Sequence, residues 1–258
     1  MIERPGREQS QIFGEDAALY ERFRPGYPRE LMEAVVAETG PGPVLEIGAG
    51  TGKATRALSA LGKQVHALEP DGRMAALLQL NCGPALSRVD HVTLEDANLP
   101  DAAFDLAVAA QTWHWIDPEI GYDRVADALI PHGRLALLWH HPQPKQGLLG
   151  EAVAQLYARL APDLPSIWPG TKASDFDPAL EPFAATKRFR SWTKREHLWH
   201  RRLDAPSLVG WLCSGSEHRL LPIDQRTELM TAMAALVQEL GGEVVVNMIT
   251  VAHTAYRV

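Results

Sequence analysis

Cysteine is almost absent: among 258 residues only Cys82 and Cys213 carry thiols. Two such distant cysteines make neither a disulfide framework nor a metal knuckle, and the expected compartment is the reducing cytoplasm. Long apolar runs are missing too. The longest candidates, such as Leu135-Ala-Leu-Leu-Trp139, are strand-sized, against the roughly 18 residues that would suggest a membrane span. The opening Met-Ile-Glu-Arg-Pro-Gly has no charged-then-apolar pattern of a secretory leader. Positive charge is in deficit, with 25 Lys and Arg against 32 Asp and Glu for a net charge of −7, so nucleic acid is not an expected partner. His197 and His200 form an H-x-x-H pair without a third ligand at suitable spacing, and no metal is expected. Ser214-Gly-Ser216 is not a G-x-S-x-G elbow, which leaves hydrolase chemistry unsupported. What remains is an ordinary globular composition, 46% hydrophobic and 22% charged, which excludes a disordered chain.

The order of elements then points to an α/β fold. Residues 15–38 read as two short helices broken at Arg24-Pro25-Gly26-Tyr27-Pro28, because each proline disfavours helix in the residue before it. Strands follow at Pro43–Ile47, Gln64–Leu68, His91–Leu94, Phe104–Ala110 and Gly133–Trp139. They alternate with helices at Ala54–Leu61, Gly72–Leu80 and Ile120–Ile130. This alternation predicts a Rossmann-like, doubly wound, mostly parallel sheet of seven strands with helices on both faces and a helical cap. Beyond His140 the pattern changes. Residues 141–183 are rich in proline around one helix at Leu148–Leu160, which reads as an insertion over the sheet. Thr186–His200 reads as an extended strand and Pro206–Cys213 and Ile223–Leu240 as helices. Val244-Val-Val246 follows the Gly241-Gly242 break and leads to a final strand reaching Tyr256. The expected organisation is a single domain in four parts: an N-terminal cap (1–40), a core (41–140), the proline-rich insertion (141–183) and the end of the core (184–258).

The strongest local signal is Val44-Leu-Glu-Ile-Gly-Ala-Gly-Thr-Gly52, a strand feeding a glycine turn with a helix opening at about Lys53. Glycines there allow unusual φ values and close backbone approach to a ligand, and the helix start offers free N–H groups to an anionic end. The spacing is one residue short of the dinucleotide pattern G-x-G-x-x-G, so a pyrophosphate fits less well than another ligand with a nucleoside and an anionic end. Glu69 follows 17 residues after Gly52, at the end of the second strand, where a carboxylate can accept both hydroxyls of a ribose. Asp96 is expected at the end of the third strand, at the rim of a nucleobase.

Glu46-Ile-Gly-Ala-Gly-Thr-Gly52, Ala67-Leu-Glu69-Pro70, Leu94-Glu-Asp96-Ala97 and Phe104-Asp-Leu-Ala-Val108 with Gln111-Thr-Trp-His114-Trp115 together resemble the class I S-adenosylmethionine-dependent methyltransferases. The likeness is to the small-molecule branch described as methyltransferase domain 11. Ala18-Leu-Tyr20 and Arg24-Pro-Gly-Tyr27-Pro28 are similar to its N-terminal cap. The resemblance covers residues 12–140 well and the remainder in outline. It implies S-adenosyl-L-methionine as cofactor and S-adenosyl-L-homocysteine as product. It places Gly48, Ala49, Gly50 and Gly52 around the methionine portion, with Glu46 near its amino group. Glu69 and Pro70 would lie at the ribose, Asp96 and Ala97 at the adenine, and Gln111 beside the transferring methyl, with Tyr20 and Tyr27 closing over the top. The implied acceptor is a small molecule, with no nucleic acid or membrane partner, for a monomer or homodimer.

Two histidines are the candidate catalytic groups. His114 lies in the loop after the fourth strand, where a neutral imidazole accepts a phenol or amine proton or else only packs the pocket wall. His140, with His141, follows the fifth strand and faces the same crevice, where it contacts substrate or caps the strand. Trp115, His141 and Trp168 are the candidate substrate contacts, and tryptophans at 139, 168, 192, 199 and 211 suit an apolar acceptor as well as simple core packing. The basic stretch Lys187–Arg195 reads as the solvated face of an edge strand. O-methylation is the expected reaction, with N- or C-methylation alongside it. A nicotinamide-dependent oxidoreductase and a non-catalytic cofactor-binding protein are the other readings; the first lacks a Tyr-x-x-x-Lys hydride site.

Overall fold

The computed structural model describes residues 16–143, 148–164 and 186–258. Seven strands form one sheet: β1 (Val44–Ile47), β2 (Val65–Leu68), β3 (Leu86–Asp90), β4 (Phe104–Ala110), β5 (Leu129–Pro142), β6 (Phe189–Asp204) and β7 (Glu243–Arg257). Their order is β3-β2-β1-β4-β5-β7-β6, parallel through β5, with β7 antiparallel to both of its neighbours. The helices are α1 (Ala17–Phe23), α2 (Arg29–Val36), α3 (Lys53–Ser59), α4 (Gly72–Cys82), α5 (Pro118–Ala128), α6 (Leu148–Leu160), α7 (Ala205–Cys213), α8 (Ser216–Arg219) and α9 (Ile223–Glu239). The α/β architecture expected from the sequence is the one observed. No helix among the described residues is long and apolar enough to cross a membrane.

Each residue of β1 and β2 is buried, as befits strands covered on both faces. Side-chain alternation divides the core. Leu45, Ile47, Ala107, Leu135 and Leu137 face Tyr122 and Val125 of α5. Val44, Val65, Leu106, Ala136 and Leu138 face Leu31 and Val35 of α2, Leu58 of α3 and Leu78 of α4. A third apolar cluster joins α6, α7 and α9 to one end of the β6–β7 ribbon through Tyr157, Trp211, Met233, Val246 and Met248.

Three expectations need correction. The third strand is Leu86–Asp90, not His91–Leu94, and Asp96 therefore sits in the turn beyond it rather than at its end. As an edge strand, β3 has one neighbour and exposes Ser87 and Arg88, so it lacks an apolar run, and the His66–Asp90 contact of 2.7 Å helps hold its register. Val92 and Leu94, the apolar residues of the expected strand, instead pack from the following loop onto the core beside α5. β5 begins four residues early, through a register shift opposite Phe104–Leu106 and a positive φ of 64° at His132. Val244–Val246 and the final strand are one continuous strand, because β7 pairs along its length between β5 and β6. Of the expected insertion at 141–183, the helix Leu148–Leu160 is present as read; residues 144–147 and 165–185, with Trp168, lie outside the described residues.

Candidate active site

The glycine turn is shaped by what each added carbon would strike. Gly48 has φ +64°, and a Cβ there would lie 2.3 Å from Thr112 Cγ2; the Thr112 hydroxyl in turn donates to the Gly48 carbonyl at 3.2 Å. Gly52 has φ +89°, and its Cβ would lie 2.5 Å from Cys82 Sγ and 2.9 Å from Leu78 Cδ1. Gly52 thus lets α3 pack on α4, and it lines neither of the two cavities described below. Gly50, at φ +57°, differs: the nearest atom to its Cβ would be Tyr20 Cε1 at 4.0 Å, so its backbone faces open space under a tyrosine lid.

Two carboxylates converge on this turn. Glu46, from β1, is buried, and its Oε2 accepts from the Thr55 hydroxyl at 2.6 Å. Glu69, just past β2, is also buried; its Oε2 accepts from Gly50 N–H at 2.7 Å and its Oε1 from Asp71 N–H at 2.9 Å. Burial pushes both up to about 7, against the hydrogen bonds that favour their ionised forms. A carboxylate has about four lone-pair sites, so Glu69 keeps acceptor capacity for two hydroxyls after bonding two backbone amides.

Helix α1 is fastened over the turn by Glu21. Its carboxylate accepts from Thr51 Oγ1 at 2.6 Å and pairs with Arg56 at 2.9 Å and Lys53 at 3.4 Å, while Lys53 Nζ also donates to the Glu21 carbonyl at 2.7 Å. This places Tyr20 and Tyr27 over a narrow slot of about 40 Å³ lined by Glu46, Gly48, Ala49, Gly50, Thr51 and Thr112. Burial raises both phenols above their ordinary range, so they stay neutral.

Beside the slot, and sharing Tyr20, Tyr27 and Lys53 with it, lies a cavity of about 180 Å³. Gln111 lines it, held at a positive φ of 61° by its N–H bond to the Leu138 carbonyl at 2.8 Å. A non-glycine residue in that region costs on the order of 1–2 kcal/mol of backbone strain. His140 lines it as well, stacked on Tyr27 with ring centroids 4.6 Å apart. The far wall comes from α7, α8 and β7, through Trp211, Leu212, Glu217, His218 and Met248. Phe23 of α1 sits over Gly210, and Arg24 donates to the Ser214 hydroxyl at 2.9 Å and carbonyl at 3.1 Å, so the N-terminal cap and the far wall are joined.

The other sequence candidates lie elsewhere. His114 is outside both cavities: Trp139 Nε1 approaches its Nδ1 at 3.5 Å, its ring lies 4.9 Å from that of Trp115, and burial lowers it to about 4. Trp115 and His141 are half-buried and line neither cavity. Pro70 and Asp96 are exposed, the Asp96 carboxylate accepting from Thr93 Oγ1 at 3.0 Å, while Ala97 is buried with its carbonyl bonded to Arg124. Reading the sequence alone missed Arg24, Lys53, Glu217 and His218 as cavity residues. Only Arg24 carried a signal, as part of the Arg-Pro-Gly-Tyr-Pro turn; the others meet the cavity through pairings remote in sequence. Among the described residues no group of three His, Cys, Asp or Glu side chains gathers where it could hold a metal.

Comparison with known proteins agrees with this geometry. Residues 45–137 match the methyltransferase domain family. The chain is 28% identical over 231 residues to the uncharacterized methyltransferase Rv3342 of Mycobacterium tuberculosis, covering 90% of this chain and 87% of that one. It is 32% identical over 136 residues, about half of either chain, to the uncharacterized methyltransferase C25B8.09 of Schizosaccharomyces pombe. In fold it is similar to a solved Anaeromyxobacter dehalogenans protein assigned as a type II methyltransferase, with a TM-score of 0.65, 21% identity and coverage of 91% and 98%. It is also similar to the YcgJ protein of a Bacillus species, with a TM-score of 0.55, 19% identity and coverage of 89% and 97%. The strand order, the glycine turn under two buried carboxylates and the match over residues 45–137 together support a class I S-adenosylmethionine-dependent methyltransferase.

Proposed function

We propose that this enzyme methylates a small molecule, on oxygen, in the cavity lined by Gln111 and His140. The observation that carries this reading is the shared wall. The slot under Gly50 and the cavity of about 180 Å³ meet at Tyr20, Tyr27 and Lys53, and the cavity has room for a small organic molecule rather than a polymer segment. The slot fits the methionine end of the cofactor, because Gly50 leaves open backbone where any side chain would project and Glu46 stands beneath it. In this reading Glu69 takes the ribose hydroxyls, Asp96 and the Ala97 backbone border the adenine, and Gln111 stands at the junction where the methyl crosses. Bound there, the cofactor supplies a methyl already activated on a sulfonium.

The chain's own task is alignment and exclusion of water, a contribution of up to roughly 7–11 kcal/mol. Tyr20 and Tyr27 roof the junction, and the fastening of α1 through Glu21 keeps them there. His140 is a positioning group in this reading. Trp199 Nε1 donates to Thr250 Oγ1 at 2.8 Å, and the single proton of that hydroxyl is then available to His140 Nδ1, also at 2.8 Å. His140 Nε2 is buried without a hydrogen-bond partner among the described residues, and burial holds the imidazole near 3, neutral at any working pH.

The test is transfer of labelled methyl from S-adenosylmethionine into cell extract divided by ultrafiltration. Label in the low-mass fraction is expected; label confined to protein or nucleic acid would remove the small-molecule reading. Calorimetric titration with S-adenosylmethionine, S-adenosylhomocysteine and NAD in parallel accompanies it, with binding expected for the first two alone.

A further inference from the structure

The cavity is rich in cations. Arg24 and Lys53 line it, and Arg201 of β6 lies against one wall, its guanidinium 5.0 Å over the Trp211 ring. Arg201 Nη2 donates to the Phe23 carbonyl at 2.9 Å, whereas its buried Nη1 has no hydrogen-bond partner. The cavity is lined by two cations, Arg24 and Lys53, and one carboxylate, Glu217; Arg56 and Arg201 lie behind its walls, as do Glu21, Glu46 and Glu69. Glu21 is already shared between Lys53 and Arg56, and Glu217 has Arg24 as its neighbouring cation. Arg201 thus adds positive charge behind the Trp211 wall, while Arg24 and Lys53 are the cations that line the cavity itself.

The same cavity has little with which to take up a proton. His140 is neutral with its Nδ1 turned to Thr250. His218 shares its Nε2 with the Tyr157 hydroxyl at 2.7 Å, and burial, reinforced by Arg24, lowers it to about 4. Bases that weak are ill matched to a phenol or an ammonium, whose protons must leave before attack. A carboxylic acid is already ionised at neutral pH and needs no base.

Resting on the methyl-transfer reading above, we propose that the acceptor is a small carboxylate with an apolar body. Its charge is directed to Arg24 and Lys53, with the Arg201 charge behind the Trp211 wall, and its body lies against Tyr27, Trp211 and Leu212. A lone pair of the carboxylate oxygen forms the new O–CH₃ bond as the S–CH₃ bond breaks, and that bond's electron pair stays on sulfur. An anion and a sulfonium become a neutral methyl ester and a neutral thioether, with no proton moved.

The experiment titrates three acids, benzoate, phenylacetate and octanoate, into protein loaded with S-adenosylhomocysteine, with benzamide and benzylamine as neutral and cationic counterparts. At least one acid is expected to bind tenfold or more tightly than its neutral counterpart. That preference should fall to near one in Arg201→Met and return in part in Arg201→Lys, with S-adenosylhomocysteine affinity within twofold. The methylated product should release its label in alkali, as an ester does. Equal binding of acid and amide overturns the proposal. So does a preference for benzylamine, which would make Glu217 the recognising group, or failure of all three acids while S-adenosylhomocysteine binds. If S-adenosylhomocysteine itself does not bind, it is the methyl-transfer reading that falls. Should Arg201→Met fail to fold, the acid-to-amide ratio in Lys53→Met, read at saturating S-adenosylhomocysteine, decides the question.

Discussion

Strands β1 to β4 are four to seven residues long, whereas β5 to β7 run to between fourteen and sixteen, and the two halves of the sheet serve different ends. The short parallel strands stop together, and their ends present the glycine turn, Glu69 and Gln111 along one edge. The long antiparallel ribbon rises past that edge and supports α6, α7 and α9, and the cavity's far wall comes from α7, α8 and β7. In the proposed reading, donor recognition rests largely on backbone conformation and a few buried acids, and acceptor recognition on side chains that tertiary packing delivers. The first kind of site tolerates little change in geometry, and the second is open to variation of its walls.

The glycines test the first half most severely. Gly52→Ala should lower stability by about 2–4 kcal/mol, combining left-handed strain with a close approach to Cys82 and Leu78, as measured by urea denaturation. Gly50→Ala meets only Tyr20 at 4.0 Å, so its stability loss should stay near 1–2 kcal/mol while cofactor binding falls more than in proportion. Equal stability losses in the two variants would break the distinction between a packing glycine and a ligand glycine.

Glu69→Ala comes next. It removes the acceptor of Gly50 N–H and the expected ribose contact together, and should weaken S-adenosylmethionine binding about 10–100-fold, or ~1.4–2.8 kcal/mol. An unchanged dissociation constant by calorimetry would remove Glu69 from the ribose.

The two buried acids also make the donor half sensitive to pH. Glu46 and Glu69 are raised in the fold from 4.5 to about 7, so their contribution to stability is present in full below about 4.5 and is lost as pH rises through 7. Each shift is worth on the order of 3 kcal/mol. Without cofactor, the melting temperature should fall between pH 5 and 8, while stabilisation by S-adenosylmethionine grows over the same range as the carboxylates ionise. A melting temperature that rises towards pH 8 would show both acids to be ionised already.

The smallest effect is expected in the second half. His140→Phe keeps a ring against Tyr27 but loses the Thr250 contact, and should raise acceptor KM about tenfold with cofactor affinity within twofold. A matching loss of cofactor affinity would mean that the two halves are not separable at Tyr27.

How far the site could be read in advance follows the same division. Glu46, Gly48, Gly50 and Glu69 belong to short contiguous patterns in which the strand, the turn and the acid occur together, so local chemistry announces them. His114 has the same kind of context, yet lies beneath Trp139, because which side of a loop faces a cavity depends on the helices packed against it. Arg201 and Glu217 carried no signal, since a charged residue in a strand or a short helix reads as solvated surface until its neighbours are known.

The sequence by itself determined the order of strands and helices, the conformation of the glycine turn and a ligand with a nucleoside and an anionic end, because periodicity, glycine's freedom at positive φ and acids at strand ends are local properties. The class of cofactor came from the resemblance those motifs carry. Only the tertiary structure decided that the third strand is Leu86–Asp90, that α1 lies over the turn through Glu21, and that residues from 20 to 248 meet in one cavity. Edge pairing, ion pairing and cavity walls arise between segments far apart in the chain, and no local pattern specifies the partner.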